Sequence, residues 1–256
     1  MPITRRTLLQ LSATGALLTG CSPAGEAPAG EAPAAARPAA PSAPTGAAGA
    51  TPEPQPELPD QIEHGPRTRP QLALTFHGQG TPAEAEAVLG AVEKGGARVT
   101  VLAVGTWLDA YPELAARVLS GKHELGNHTQ THGDIGAMDE AAASAEITEC
   151  AARLRRLTGS QGRWFRPSQA RLTTPQVVAL ARRAGYPHVL SYDVDTLDYT
   201  DPGPAAIRAA VAEQAGPGSV VSLHLGHAGT VAALPGILAD LHRRGLRAVT
   251  TSELLP

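Results

Sequence analysis

An α/β fold with parallel strands joined by helical crossovers is predicted, either as a barrel or as an open sheet. From about Gln71 onward, seven short apolar, β-branched runs alternate with six amphipathic stretches of helical period. Strands separated by helices pair in parallel, because a parallel pair needs a crossover of about a dozen residues or more. The ionisable residues gather just after the strands, at the end where chemistry collects in both kinds of parallel sheet.

The stretch before residue 70 is read differently. "TRRTLLQLSATGALLTGC" carries Arg5 and Arg6, then a short apolar run ending in Leu18-Thr19-Gly20-Cys21. The run is too short for a spanning helix and has the flanks of a signal peptide. The arginine pair resembles a twin-arginine export signal, and "LTGC" resembles a bacterial lipobox. That resemblance implies that residues 1–21 are an address and that Cys21 carries lipid. Residues 22–69 are rich in Pro, Ala, Gly and Glu with almost no large apolar side chain. Such a segment buries too little surface to offset ordering entropy, so a disordered tether is expected there and a folded domain over 70–256. The chain holds two cysteines, Cys21 and Cys150. With Cys21 lipidated no intrachain disulfide forms, and Cys150 reads as a small core residue.

The strands are expected at "LALTF" (72–76), "RVTVLAV" (98–104), "HELGNH" (123–128), "RWFRP" (163–167), "HVLSYDV" (188–194), "SVVSLHL" (219–225) and "RAVTTSEL" (247–254). Helices are expected over 82–95, 111–121, 142–159, 174–185, 204–216 and 234–245, several opening on Thr-Pro or ending at Gly as capping requires. The net charge of −3 is near neutral, so no nucleic-acid partner is expected.

His77 and Gln79 follow the first strand, His128 and His132 the third, Arg166 the fourth, Asp193, Asp195 and Asp198 the fifth, and His224 and His227 the sixth. The i, i+4 spacing of His128 and His132 would set both imidazoles on one side of a helical turn, a common way to grip zinc.

With these residues the chain resembles the polysaccharide deacetylases with a NodB-homology domain, carbohydrate esterase family 4. "NHTQTH" matches the family's H-[ST]-x-x-H motif, and "FRPSQ" partly matches R-x-P-[YF]-G. "DVDTLDY" is similar to D-x-x-D-[WY], and "SLHL" to L-H-D. The resemblance covers about residues 70–256. It implies a distorted (β/α)7 barrel and a hydrolase that cleaves N- or O-acetyl groups with water activated on a metal, often zinc. It further implies that His128 and His132 are ligands, that His224 is the general acid, and that Arg166 and Asp198 orient base and acid.

The first motif departs from the family. Where the family reads T-F-D-D-G, with a base and then a ligand, this chain reads "TFHGQG", so His77 stands at the base position and Gly78 at the ligand position. Ser168, Gln169 and Ala170 replace the end of the third motif. Three readings of His77 compete with a plain strand-end residue: a third ligand in a three-histidine site, a base, or the remnant of a site that binds glycan without cleaving it. The first is preferred, because two imidazoles alone make a weak zinc site. It needs His77 to turn inward, which on this reading requires that the strand stop at Phe76. Tyr199 and Gln79 are the candidate substrate contacts, with Trp107, Tyr111 and Trp164 as further rings.

The expected activity is metal-dependent deacetylation of an N-acetylated cell-wall polysaccharide, peptidoglycan- or chitin-like, by a lipoprotein on the outer face of the bacterial cytoplasmic membrane. The alternatives are a silent glycan binder and an O-acetyl esterase of the xylan type. The lipid anchor is the expected membrane contact, and no protein partner is expected.

Overall fold

A computed structural model describes residues 58–255 of the chain. Its strands are β1 (Gln61–Ile62), β2 (Gln71–Gly78), β3 (Thr100–Ala103), β4 (Glu124–Asn127), β5 (Val189–Leu190), β6 (Val194–Asp195), β7 (Val220–His224) and β8 (Arg247–Val249). The helices are α1 (Pro82–Lys94), α2 (Gly105–Ala110), α3 (Glu113–Ser120), α4 (Glu140–Thr158), α5 (Pro175–Arg183), α6 (Pro204–Gln214), α7 (Ala228–Arg243) and α8 (Thr251–Leu254). Strands run in the order β4-β3-β2-β7-β6, with β8 also on β2, and every pairing is parallel. Phe165 bridges Asn127 on one side and Val189 on the other, and β5 leads within four residues to β6. The circuit thereby closes as a distorted barrel.

β2 organises the interior. Leu72, Leu74 and Phe76 pack in the cluster beneath the helices, whereas Ala73 belongs to an inner cluster with Leu102, Trp164, Leu190, Val220 and Val249. Successive strand residues face opposite ways. Thr75 and His77 therefore share the inner face with Ala73. β2 does not stop at Phe76: it pairs through His77 and Gly78 with Leu102 and Ala103. His77 turns inward because of regular alternation, not because the strand ends.

Several expected elements are corrected. The tether does not extend to residue 69. β1 pairs with β5, Ile62 is buried, and Gly65 N–H donates to the Gly218 carbonyl at 2.7 Å. A single Ile among Pro, Glu and Asp escapes a compositional reading. The signal and residues 22–57 lie outside the described residues. "RWFRP" contributes one bridging residue, since Arg166 N–H and the Trp164 carbonyl both engage Asn127 and Pro167 has no N–H to give. "HVLSYDV" splits in two, because the Asp193 carboxylate takes the Val220 N–H at 2.8 Å. "RAVTTSEL" is a three-residue strand followed by α8, started by a capping box between Thr250 and Glu253. α2 has no side-chain cap to announce it, and α7 begins at Ala228 with Pro235 inside it. Among the described residues no helix is long and apolar enough to cross a membrane.

Candidate metal and catalytic site

The rim at the C-terminal ends of the strands brings four histidines together. Strand register sets His77 beside His224. Ring centroids are 4.2 Å apart for His77 and His224, 4.3 Å for His77 and His128, and 4.8 Å for His128 and His132. His128 and His132 are not on a helical turn, which corrects the expectation from their spacing. They sit in a loop with left-handed backbone at Thr129 (φ 68°) and His132 (φ 63°). Asn127 Oδ1 accepts the Thr129 N–H at 2.9 Å, and Glu146 of α4 accepts both the N–H and the hydroxyl of Thr131. These bonds, not helical periodicity, hold the two rings side by side.

Hydrogen bonds decide which nitrogens are available. His128 Nδ1 lies 3.0 Å from the Arg166 carbonyl, which can only accept, so Nδ1 carries the hydrogen and Nε2 a lone pair. His128 Nε2 and His77 Nδ1 are both buried without a hydrogen-bond partner among the described residues. Each of His77, His128 and His132 offers a nitrogen, and the three atoms lie within 4.8 Å of one another. A tetrahedral zinc with bonds of about 2.0–2.1 Å holds its nitrogens about 3.4 Å apart. The three rings thus fit a metal after small inward adjustments, and the orphaned nitrogens are the atoms such an ion would take.

Their protonation fits as well. Burial, with the neighbouring His128 and His224, holds the His77 imidazole well below its usual range. Burial and His132 do the same to His128, and burial lowers His132. Ligating imidazoles must be neutral, and these are kept neutral.

Beside the cluster stands an acid–imidazole pair. Asp198 Oδ1 is 2.7 Å from His224 Nδ1, while Oδ2 accepts the His224 N–H at 2.8 Å and the Thr230 hydroxyl at 2.6 Å. Burial alone would raise the Asp198 carboxyl. The bonds from His224 and Thr230 outweigh it and hold the group below the usual carboxylate range. Arg166 is wholly buried and donates to the carbonyls of Leu190 and Ser191 at 3.2 and 2.9 Å. Burial pushes its guanidinium down to about 10.

A cleft of about 390 Å³ opens over these groups, with Gln79, Gln169, Tyr192, Tyr199 and His227 on its walls. Gly80 is required there: its φ is +102°, and a Cβ would meet the Cα of Gly226 at 2.4 Å. Tyr199 is half exposed, with its ring 5.3 Å from His224. Trp107 and Trp164 are buried and leave the list of sugar platforms, and Tyr111 packs against the core. Asp193 and Asp195 bind backbone amides, of Val220 and Leu197 respectively. His227 pairs with Asp201 at 2.9 Å. Burial pushes the Cys150 thiol up to about 12, which removes it as a nucleophile. Ser222, Thr230 and Glu146 escaped the sequence reading, since single hydroxyl and carboxyl groups far apart in the chain announce no motif.

Comparison with known proteins agrees with this architecture. The polysaccharide deacetylase family model matches residues 64–189. A peptidoglycan-N-acetylglucosamine deacetylase of Bacillus cereus is 31% identical over 194 residues, covering 74% of this chain and 90% of that protein. A chitooligosaccharide deacetylase of Sinorhizobium fredii is 28% identical over 198 residues, covering 69% and 87%. The crystal structure of a carbohydrate esterase family 4 pseudoenzyme from Bacillus anthracis superposes with a TM-score of 0.73 at 22% identity, covering 78% of this chain and 70% of that one. The chain belongs to the polysaccharide deacetylase family.

Proposed function

We propose that this chain is a hydrolase that removes acetyl groups from the amide nitrogens of a cell-wall glycan of the peptidoglycan or chitin kind. The observation that carries this reading is the cluster of His77, His128 and His132, with its orphaned buried nitrogens beside the Asp198–His224 pair. A divalent metal held by the three imidazoles, most simply Zn2+ for an all-nitrogen set, supplies Lewis acidity to water and to the acyl oxygen. The family relatives named above, which act on N-acetylated glycans, support the substrate class.

The protein's own residues then divide the work. Asp198 fixes the hydrogen of His224 on Nδ1, leaving Nε2 to exchange protons. With His77 among the ligands, that nitrogen takes a proton from the attacking water as the water oxygen bonds to the acyl carbon. It then delivers the proton to the departing nitrogen as the C–N bond breaks, giving a free amine and acetic acid, which ionises to acetate. Tyr199 and Gln79 line the cleft where the sugar lies. His224→Ala should lower acetate release from an N-acetylated glycan by about 10²–10⁴-fold with metal content intact. Loss of metal in that variant would make His224 a ligand and reverse its role.

We further infer that the protein is exported and lipid-anchored, from "LTGC" and the arginine pair in residues 1–21. Cys21→Ala should then move the protein out of the membrane fraction. Unchanged membrane retention would contradict the anchor.

A further inference from the structure

The position of one hydrogen decides whether His77 can bind a metal. A neutral imidazole has one N–H and one lone pair. A metal at Nδ1 therefore requires the hydrogen on Nε2 and a group beside Nε2 that accepts it. Two groups lie there. Arg166 Nη1 is 3.2 Å away, and a guanidinium only donates. Alone, it would hold the lone pair at Nε2 and leave an N–H at Nδ1, which has no hydrogen-bond partner among the described residues. Ser222 Oγ is 3.3 Å away, and a hydroxyl accepts as readily as it donates.

Ser222 is placed for that task by the sheet. It lies on β7 two residues before His224, in register with Thr75 of β2. Alternation puts its side chain on the inner face that His77 and His224 share. It is 1% exposed, and its hydroxyl has no other hydrogen bond among the described residues.

We propose that Ser222 is the residue that makes His77 a metal ligand, by accepting the Nε2–H and so presenting the Nδ1 lone pair to the metal. The inference rests on the metal site proposed above and deepens it. Ser222 touches neither metal nor glycan. It is a positioning residue, and Arg166 competes with it for the same ring nitrogen. Partners of this kind commonly govern metal affinity by about 10–100-fold.

The test is zinc affinity of the full chain, read by competition with a chromophoric chelator, for the wild type, Ser222→Ala, His77→Ala and the double variant. Ser222→Ala should weaken zinc binding about 10–100-fold. His77→Ala should weaken it at least as far, and the double variant should be no weaker than His77→Ala, because Ser222 acts only through that ring. In ¹⁵N spectra of the metal-free proteins, the neutral His77 ring should carry its hydrogen on Nε2 in the wild type and on Nδ1 in Ser222→Ala. Equal affinity of wild type and Ser222→Ala overturns the role of Ser222 while leaving the metal site standing. A further loss in the double variant also overturns it, since general damage to the fold would add to the loss of His77. Failure of the wild type to bind zinc overturns the metal site itself, and this inference with it.

Discussion

A side chain at position 78 would put its Cβ 2.8 Å from the Cα of Ala103 and 3.1 Å from the carbonyl oxygen of Leu102. Both are backbone atoms of the neighbouring strand, so no carboxylate seats there without moving β3. Position 77 faces inward instead, and the polar group of the first motif resides there. The cost of this arrangement is a cluster of imidazoles that burial keeps neutral. Their folded pKa values lie below the unfolded value of about 6.5, so below that pH the unfolded chain binds more protons than the native one. Stability contributed by His77, His128 and His132 is fully present above pH ~6.5 and is lost as pH falls toward their folded values. The metal-free protein should therefore melt at progressively lower temperature between pH 7.5 and 5.5, and His128→Gln should flatten that dependence. A melting temperature independent of pH in this window would contradict the assignment. His128, His132, Arg166, Asp198 and His224 were legible in the sequence because each falls in a short motif after a strand. Ser222 was not: its meaning depends on a ring 145 residues away.

At the scale of elements, β1 shows what composition conceals. Ile62 is 1% exposed and lies in the inner cluster with Leu190, Leu254 and Leu255. Arg67 ties the same segment to Asp193 at 2.8 Å. Ile62→Ala should cost about 2–5 kcal/mol, as deletion of a fully buried aliphatic side chain does. Denaturant unfolding checks this, and an unchanged midpoint would show that β1 is dispensable to the domain. Strands such as "LALTF" were legible because both faces are buried and the run is short and apolar. The split of "HVLSYDV" was not, because it depends on where the Asp193 carboxylate finds an amide. "TTSEL" carried its helix signal in Thr250 and Glu253, three residues apart, but the preceding β-branched residues masked it.

Over the whole molecule, the parallel order and the rim at the strand ends were predictable from the alternation of elements. Closure was not, because it passes through the lone bridging residue Phe165. That closure sets Arg166 under His77 and places His128 against the Arg166 carbonyl. A site of three histidines, without the two leading carboxylates of T-F-D-D-G, should still cleave an acetyl amide. Acetate release from N-acetylated peptidoglycan by the purified full chain tests it most directly, measured as prepared, after chelator treatment, and after zinc is returned. Steady acetate release should disappear with the metal and return with it. Glycan retained by a zinc-loaded protein that releases no acetate would contradict it and make the chain a binding protein.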